Sequence, residues 1–268
     1  MAVTNHVHNP LDCATGALYA PREVCVKLMP LKTLLKQPLR LILPERLLAQ
    51  LAFEIRTSLK SAVNSRTTAR KCRAMEGVRL NVGCGERPTS GWINFDMISD
   101  PRVEYWDCRK GLPFRDGAVT AIYSEHFLEH LEYGSEVEKF LKECLRCLSQ
   151  SGVLRISVPD AGEYLKLYAN DDWKELSKRR PLIKEGNDYR DHWLGGRYST
   201  KMQFINVIFR QNGEHKYAYD AETLIQLLRT VGFAKVSKTS FGVSSDPNMA
   251  PDTPERRSES LYVEAVKM

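Results

Sequence analysis

The chain has 268 residues, 43% apolar, 27% charged and 9% aromatic, which is enough apolar material for a sizeable core and excludes collagen-like or wholly disordered chains. No apolar run approaches the ~20 residues that a bilayer-spanning helix needs, and the opening MAVTNHVHNP lacks the charged-then-apolar order of a cleaved leader. Charge is uneven: residues 1–75 hold 12 Lys and Arg against 4 Asp and Glu, whereas residues 76–268 hold 27 against 29, so the basic character belongs to the N-terminal quarter.

Residues 1–27 show no sustained period, and the leucine-rich stretch that follows is broken by Pro30, Pro38 and Pro44. Pro44 suits the first turn of a helix, where a missing N–H costs nothing. Leu48, Leu51, Ala52, Ile55, Leu59 and Val63 then recur at helical spacing. This predicts an amphipathic helix over 45–63 with its apolar stripe turned to the protein, because such a stripe is usually core-facing. Residues 64–76, NSRTTARKCRAME, read as a basic linker.

From residue 78 short apolar runs alternate with helical patterns. Strands are predicted at 78–84, 92–97, 103–108, 119–126 and 152–160, with closing strands at 233–241 and 260–267. Residues 134–149 predict a helix with Val137, Phe140, Leu141, Cys144, Leu145 and Leu148 on one face. Residues 220–231 predict another, capped by Asp220 and ended by Gly232. The stretch 161–214 is weakly periodic and rich in Tyr, Trp and Arg, a placement that suits a lid. Strands alternating with helices predict an α/β fold with a mostly parallel sheet. The expected organisation is a basic extension over 1–75 and one ligand-binding domain over 76–268, with 161–214 as a lid or substrate insertion. Seven cysteines without framework spacing predict reduced thiols and a cytoplasmic location. The Cys144-x-x-Cys147 pair falls within a helix and reads as core.

The informative motif is Leu80-Asn81-Val82-Gly83-Cys84-Gly85, an apolar strand ending in two glycines one residue apart. Glycine there lets the backbone turn sharply and approach a ligand. Asp96 closes the second strand, where an acid can accept hydrogen bonds from a ribose. Asp107 closes the third, where an acid can accept from an adenine amino group. Ser124-Glu125-His126 closes the fourth. All lie at the carboxyl ends of strands, where open sheets bind ligands. A nicotinamide-dinucleotide site is disfavoured: Pro88 stands where G-x-G-x-x-G has its third glycine, and residues 86–91 are too few for a crossover helix, which with its loops needs ~10–12 residues. Without that helix there is no helix N-terminus to hold a pyrophosphate. An adenosine cofactor without phosphate, such as S-adenosylmethionine, does not need one.

LNVGCGERPTSGWINFDM, DCRKGLPFRDGAVTAIYSEHFLEHL and LRCLSQSGVLRISVPD resemble the class I S-adenosylmethionine-dependent methyltransferases, most closely the type-11-like branch. The resemblance runs over residues 76–268. It implies a Rossmann-like seven-stranded sheet whose last strand, here 260–267, is antiparallel. It also implies a cofactor site in which Gly83 and Gly85 face the methionine part, Asp96 the ribose and Asp107 the adenine side. Ser124 lines the pocket beside the sulfonium, and Asn81, Cys84 and Glu125 belong to the same cofactor motifs. The product is S-adenosylhomocysteine.

Methyl transfer mainly needs alignment and exclusion of water, and a base only where the nucleophile is a hydroxyl or a protonated amine. His126 and His215 are the candidate bases; His130, four residues after His126, reads as structural. A His126–His130 pair can chelate zinc, but the sequence shows no third ligand, so no metal is expected. Tyr189, Trp193, Arg197 and Tyr198 are the candidate substrate or lid contacts. The expected activity is methylation of an O or N of a small molecule or saccharide, in a surface-glycan or secondary-metabolite pathway. Alternatives are a non-catalytic Rossmann-like binding module and an RNA methyltransferase using the basic N-terminal segment. Nucleic acid is otherwise not an expected partner. Residues 45–73 are the segment suited to peripheral membrane contact.

Overall fold

The computed structural model describes residues 44–180, 182–191, 196–249 and 252–268. The chain falls into two compact units, Met1–Ala52 and Phe53–Met268. Of the first unit only residues 44–52 are described, and they hold the opening turns of helix α1 (Glu45–Arg73). The leucine-rich run before Pro44 lies outside the described residues. No helix among the described residues is long and apolar enough to cross a membrane.

The larger unit is built on one seven-stranded sheet. Its strands are β1 (Val78–Val82), β2 (Ile93–Asp96), β3 (Glu104–Tyr105), β4 (Val119–Glu125), β5 (Leu148–Pro159), β9 (Lys235–Thr239) and β10 (Ser260–Val266). Their order is β3-β2-β1-β4-β5-β10-β9. Neighbours from β3 to β5 are parallel, and β10 is antiparallel to both β5 and β9. This is the expected Rossmann-like methyltransferase sheet with a reversed last strand.

Strand alternation divides the sheet into two unlike faces. Leu80, Val82, Ile122, Leu154, Ile156 and Val158 are buried in the main core. Against them pack α2 (Glu136–Cys147), through Val137, Phe140, Leu141 and Cys144, and α6 (Ala221–Val231), through Leu224 and Leu228. The Cys144-x-x-Cys147 pair is fully buried here, as expected of core thiols. Asp220 caps α6 by accepting from Thr223 N–H, and Gly232 ends it in the left-handed region, as the sequence predicts.

The opposite face is polar yet buried. Asn81, Tyr123 and Arg155 stand in register across β1, β4 and β5, with Glu264 of β10 beside Arg155. The five N–H donors of Arg155 have five acceptors: both Asp252 carboxylate oxygens, Glu264 Oε1 and the carbonyls of Ser240 and Val243. The loop after β9 is thereby tied down over the centre of the sheet.

α1 departs from the sequence reading in two ways. It runs to Arg73, so most of the expected linker is helix. It also turns its polar side to the domain: Thr57, Thr68 and Cys72 are buried, whereas Leu47, Leu51, Ile55 and Leu59 are exposed. The physical reason lies in what α1 meets. Lys60 Nζ donates to Ser99 Oγ and sits over the Tyr105 ring, Lys71 pairs with Glu104, and Glu54 pairs with Arg109. These partners belong to the polar β2–β3 edge of the sheet, which a Ser/Thr/Lys face can satisfy and a leucine face cannot.

The insertion folds as a cap with its own small core. It contains α3 (Ala161–Ala169), α4 (Trp173–Arg179), the antiparallel strands β6 (Leu182–Glu185), β7 (Asp188–Asp191) and β8 (Arg197–Tyr198), and α5 (Lys201–Arg210). Tyr164, Leu167, Leu176, Tyr198, Phe204, Ile205 and Ile208 form its core.

Candidate active site

The glycine turn after β1 brings its two glycines into different surroundings. Both have positive φ, +67° at Gly83 and +52° at Gly85. A Cβ on Gly83 would lie 2.5 Å from Phe127 Cδ2, so this glycine exists to admit the Phe127 ring. A Cβ on Gly85 would meet nothing within 4 Å. Gly85 is therefore the position where backbone borders open space. Cys84 between them is buried, and burial pushes its thiol up to about 12, with Asp96 adding to the shift; it stays a neutral packing group.

Asp96 ends β2 beside this turn. Its Oδ2 accepts from Gly85 N–H at 2.8 Å and its Oδ1 from Met97 N–H at 2.6 Å. Each carboxylate oxygen keeps a further lone pair for a ligand hydroxyl. Asn81 supports the turn from beneath. It donates to Asn94 Oδ1 at 3.1 Å and Thr89 Oγ1 at 3.2 Å, while Asn94 Oδ1 also accepts from Thr89 N–H and its Nδ2 donates to the carbonyls of Thr89 and Trp92. Asn94 was not singled out as a site residue, although it stands in the G-W-x-N-x-D run. Two side-chain amides take over the bracing that a crossover helix would otherwise give.

Asp107 is placed differently from the expectation. β3 ends at Tyr105, and Asp107 instead caps the 3-10 turn Cys108–Lys110. Its carboxylate accepts from Arg109 N–H, Nε and NH2, and Arg109 reaches on to Glu54. Burial alone would raise its pKa, but the Arg109 guanidinium prevails and holds the carboxyl below the usual range. Its acceptor capacity is largely taken by Arg109.

At the tip of β4 the side chains alternate. Ser124 is fully buried in the main sheet, and its Oγ has no hydrogen-bond partner among the described residues. Glu125 points to the polar face, accepting from Tyr123 OH, Thr253 N–H and Thr253 Oγ1, and so anchors the loop that covers that face. His126 follows with φ +51°; its N–H donates to the Ser157 carbonyl and its Nε2 lies 2.7 Å from Ser260 Oγ. Burial, reinforced by Arg256, keeps this ring neutral.

Three residues on, the structure assembles a cluster that the sequence scattered. Glu129 is 1% exposed, and neither carboxylate oxygen has a hydrogen-bond partner among the described residues. His126 Nδ1 stands 3.4 Å from its Oε1. The rings of His130 and His215 meet edge-to-face with centroids 4.9 Å apart. Burial pushes Glu129 up to about 8 and His215 down to about 4. A small cavity is lined by Glu129, Pro159, Ile208, Phe209, His215 and Tyr219. It lies where the cap meets the carboxyl ends of β4 and β5. From sequence only His126 and His130 are weighed in this run and Glu129 is passed over; the segment is a single 3-10 turn, Leu128–His130.

The expected cap contacts divide. Tyr198 is 5% exposed and packs edge-to-face on Phe204, Tyr189 stacks on Trp173 at 4.2 Å, and Arg197 pairs with Glu185. These three hold the cap together. Trp193 lies outside the described residues.

Residues 99–156 match the family model of a methyltransferase domain, type 11. No curated protein matches the chain in sequence. Among solved structures, a methyltransferase from Archaeoglobus fulgidus is 17% identical, covering 79% of this chain and 94% of its own, with a TM-score of 0.42. A methyltransferase from Mesorhizobium loti is 17% identical over 75% and 96%, with a TM-score of 0.40. The 1,6-didemethyltoxoflavin-N1-methyltransferase of Burkholderia thailandensis, solved with its substrate and S-adenosylhomocysteine, is 14% identical over 84% and 91%, with a TM-score of 0.40.

Proposed function

We propose that the chain is a class I S-adenosylmethionine-dependent methyltransferase of the type-11 branch, bringing one sulfonium methyl group to an oxygen or nitrogen of a small molecule or saccharide. When bound, S-adenosylmethionine supplies an already activated methyl group and leaves as S-adenosylhomocysteine. The residues fit that cofactor: Gly85 presents backbone to open space, and Asp96 keeps lone pairs for ribose hydroxyls. Asp107 contributes by fixing Arg109 and the turn after β3 rather than by accepting from the adenine.

The observation that carries the acceptor class is the cap. Ile208 and Phe209 of α5 close on Glu129 and Pro159 at the ends of β4 and β5, and leave a small cavity there. A cap seated on the strand tips favours a small acceptor over a folded polymer and excludes water from the methyl transfer. The saccharide reading draws on the aromatic and arginine content of the cap. Proton removal, where the acceptor needs it, falls to the cluster containing His215, whose ring is neutral at physiological pH. His126, enclosed and bonded to Ser260, positions the chain after β4.

Calorimetry with S-adenosylmethionine and S-adenosylhomocysteine tests the cofactor, and binding of neither would overturn the enzyme reading in favour of a non-catalytic module. For the acceptor, transfer of labelled methyl to panels of small hydroxyl, amine and saccharide acceptors should find a substrate. Transfer to RNA alone would refute the acceptor class. The exposed Ile55 and Leu59 beside Arg56, Arg66 and Arg70 support peripheral contact of α1 with an anionic membrane. Cosedimentation with anionic vesicles that persists in Ile55→Asp/Leu59→Asp would dismiss that contact.

A further inference from the structure

Below the cap, two imidazole rings and the buried Glu129 carboxyl converge, with His126 Nδ1 standing 3.4 Å from Glu129 Oε1. His130 Nδ1 is 3.2 Å from the Glu214 carbonyl, and His215 Nδ1 is 2.7 Å from the Ile208 carbonyl. A carbonyl oxygen can only accept, so each Nδ1 carries the proton, and in a neutral ring Nε2 is then a bare lone pair. Burial keeps both rings neutral by lowering their pKa values. Glu129 adds a buried carboxylate whose two oxygens have no hydrogen-bond partner among the described residues. One ligand atom from each of the three residues lies within 4.8 Å of the others. Native interiors rarely leave polar groups in this state.

We propose that Glu129, His130 and His215 form a binding site for a divalent transition-metal cation of the zinc type. Two imidazoles and one carboxylate suit such an ion, whereas calcium and magnesium prefer all-oxygen ligands. With metal–ligand bonds of about 2.0–2.2 Å, tetrahedral ligand atoms stand about 3.3–3.6 Å apart, so separations of up to 4.8 Å need to close by up to about 1.5 Å. Their Nδ1–H groups already donate to backbone carbonyls, the arrangement that fixes ring orientation and raises ligand basicity at metal centres. The adjoining cavity has about 10 Å³ of open volume, room for one water-sized fourth ligand, and the Tyr219 hydroxyl on its wall also lacks a partner among the described residues. The nearby cations are engaged elsewhere: Arg256 and Arg180 by Glu259, at 3.6 Å and 3.5 Å, and Lys216 by Glu132 at 3.7 Å. The ligands come from two places 85 residues apart, Glu129–His130 and His215, so the sequence, in which only His126 and His130 are weighed as a pair, leads to the expectation of no metal. His126 is not in the set, since its Nε2 faces Ser260. The competing arrangement puts a proton on Glu129, which then donates to one Nε2 and leaves the other bare.

The site does not depend on the methyl-transfer reading, but an ion on His215 Nε2 would take the lone pair that proton removal uses, so these two uses of the ring are alternatives and the test keeps them apart. The full chain with His6→Ala and His8→Ala, so that the N-terminal histidines do not count, is stripped with chelator and titrated with Co²⁺ by absorption spectroscopy and with Zn²⁺ by calorimetry. One equivalent should bind, with nitrogen and oxygen ligation and no thiolate charge-transfer band. Glu129→Gln and His215→Gln should each weaken binding at least tenfold while S-adenosylmethionine affinity and circular dichroism stay unchanged. Zn²⁺ should raise the melting temperature of the parent but of neither variant. Absence of stoichiometric binding, a thiolate band, or affinity indifferent to both substitutions overturns the site. Should the variants not fold, the Co²⁺ spectrum and stoichiometry of the parent decide. Loss of S-adenosylmethionine binding in the parent would strike the enzyme reading and leave the metal result standing.

Discussion

The two glycines of the turn after β1 should fail in different ways when each is replaced by alanine. Both sit at positive φ, so each substitution places a Cβ in the left-handed region at a cost of about 1–2 kcal/mol. Gly83→Ala adds a clash, because its Cβ would fall 2.5 Å from Phe127 Cδ2 and Phe127 is itself wedged against Phe140. Overpacking of that kind costs about 1–3 kcal/mol more. Gly85→Ala meets no atom within 4 Å and adds nothing to stability loss beyond the backbone term. For a domain of this size, ~1 kcal/mol moves the melting temperature by about 2–4 °C. Gly83→Ala should therefore melt roughly 4–20 °C below wild type and Gly85→Ala roughly 2–8 °C below. In calorimetry the order reverses: Gly85→Ala puts a methyl group where the cofactor approaches and should lose more affinity than Gly83→Ala. A double-mutant cycle of Gly83→Ala with Phe127→Ala should return a favourable coupling of about 1–3 kcal/mol, the clash alone. Equal melting temperatures for the two glycine variants, or a coupling within about 0.5 kcal/mol of zero, would refute the assignment of Gly83 to packing and Gly85 to the ligand.

Asp96→Ala should weaken S-adenosylmethionine binding by about 1–3 kcal/mol, the cost of unmet hydrogen bonds; unchanged affinity in calorimetry would remove Asp96 from the ribose site. His215→Ala should lower turnover on the true acceptor with cofactor affinity near wild type, and full activity would take the cluster out of the mechanism. Arg155→Met should destabilise by about 3–5 kcal/mol in chemical denaturation, because Asp252 and Glu264 would remain as buried, unpaired carboxylates. For Asp107, whose folded pKa is depressed, the stability contribution is present above the unfolded pKa near 3.9 and lost as pH falls through the folded value. Asp107→Asn should flatten that acid limb, and an unaltered limb in a pH series of denaturation curves would deny the Arg109 pairing its role. Ile55→Ser and Leu59→Ser should each cost no more than about 0.5 kcal/mol, as exposed positions do, against the larger loss expected had the stripe faced a core.

Strand positions and a mostly parallel sheet were readable because the strands leave short apolar runs alternating with helical patterns, and because glycine and aspartate at their tips have specific backbone and hydrogen-bonding uses. Gly85 and Asp96 are the residues that chemistry singles out, and the structure joins them by a 2.8 Å bond. Asp107 shows the limit of the same argument: an acid at a strand tip can serve a ligand or a neighbouring arginine, and only the fold brings Arg109 and Glu54 into reach. α1 was misjudged in orientation because periodicity reports that a helix has two faces and not which one meets the protein. The surface waiting for it, Ser99, Glu104 and Tyr105 at the sheet edge, is polar, so Thr57 and Thr68 go inward. Glu129 and His215 could not be linked in sequence, since 85 residues, among them α2, β5 and the cap, lie between them.

The short β1–β2 connection sets the terms for the rest of the site. A crossover helix would brace the glycine turn and cover one face of the sheet at the same time. Here those tasks are separated. The turn is braced locally by Asn81 and Asn94, whose amides hold residues 89 and 92 and leave Gly85 free to face the cleft. Cover comes from the far end of the chain, where Arg155 draws the loop around Ser240, Val243 and Asp252 over the sheet and Glu125 draws Thr253. Such cover is built from charged hydrogen bonds, which are directional and tolerate little rearrangement, where an apolar helix would have slid. The strand tips are consequently fixed from below by a polar network, and adjustment to different acceptors is left to the cap, which carries its own core and meets the tips at Ile208 and Phe209.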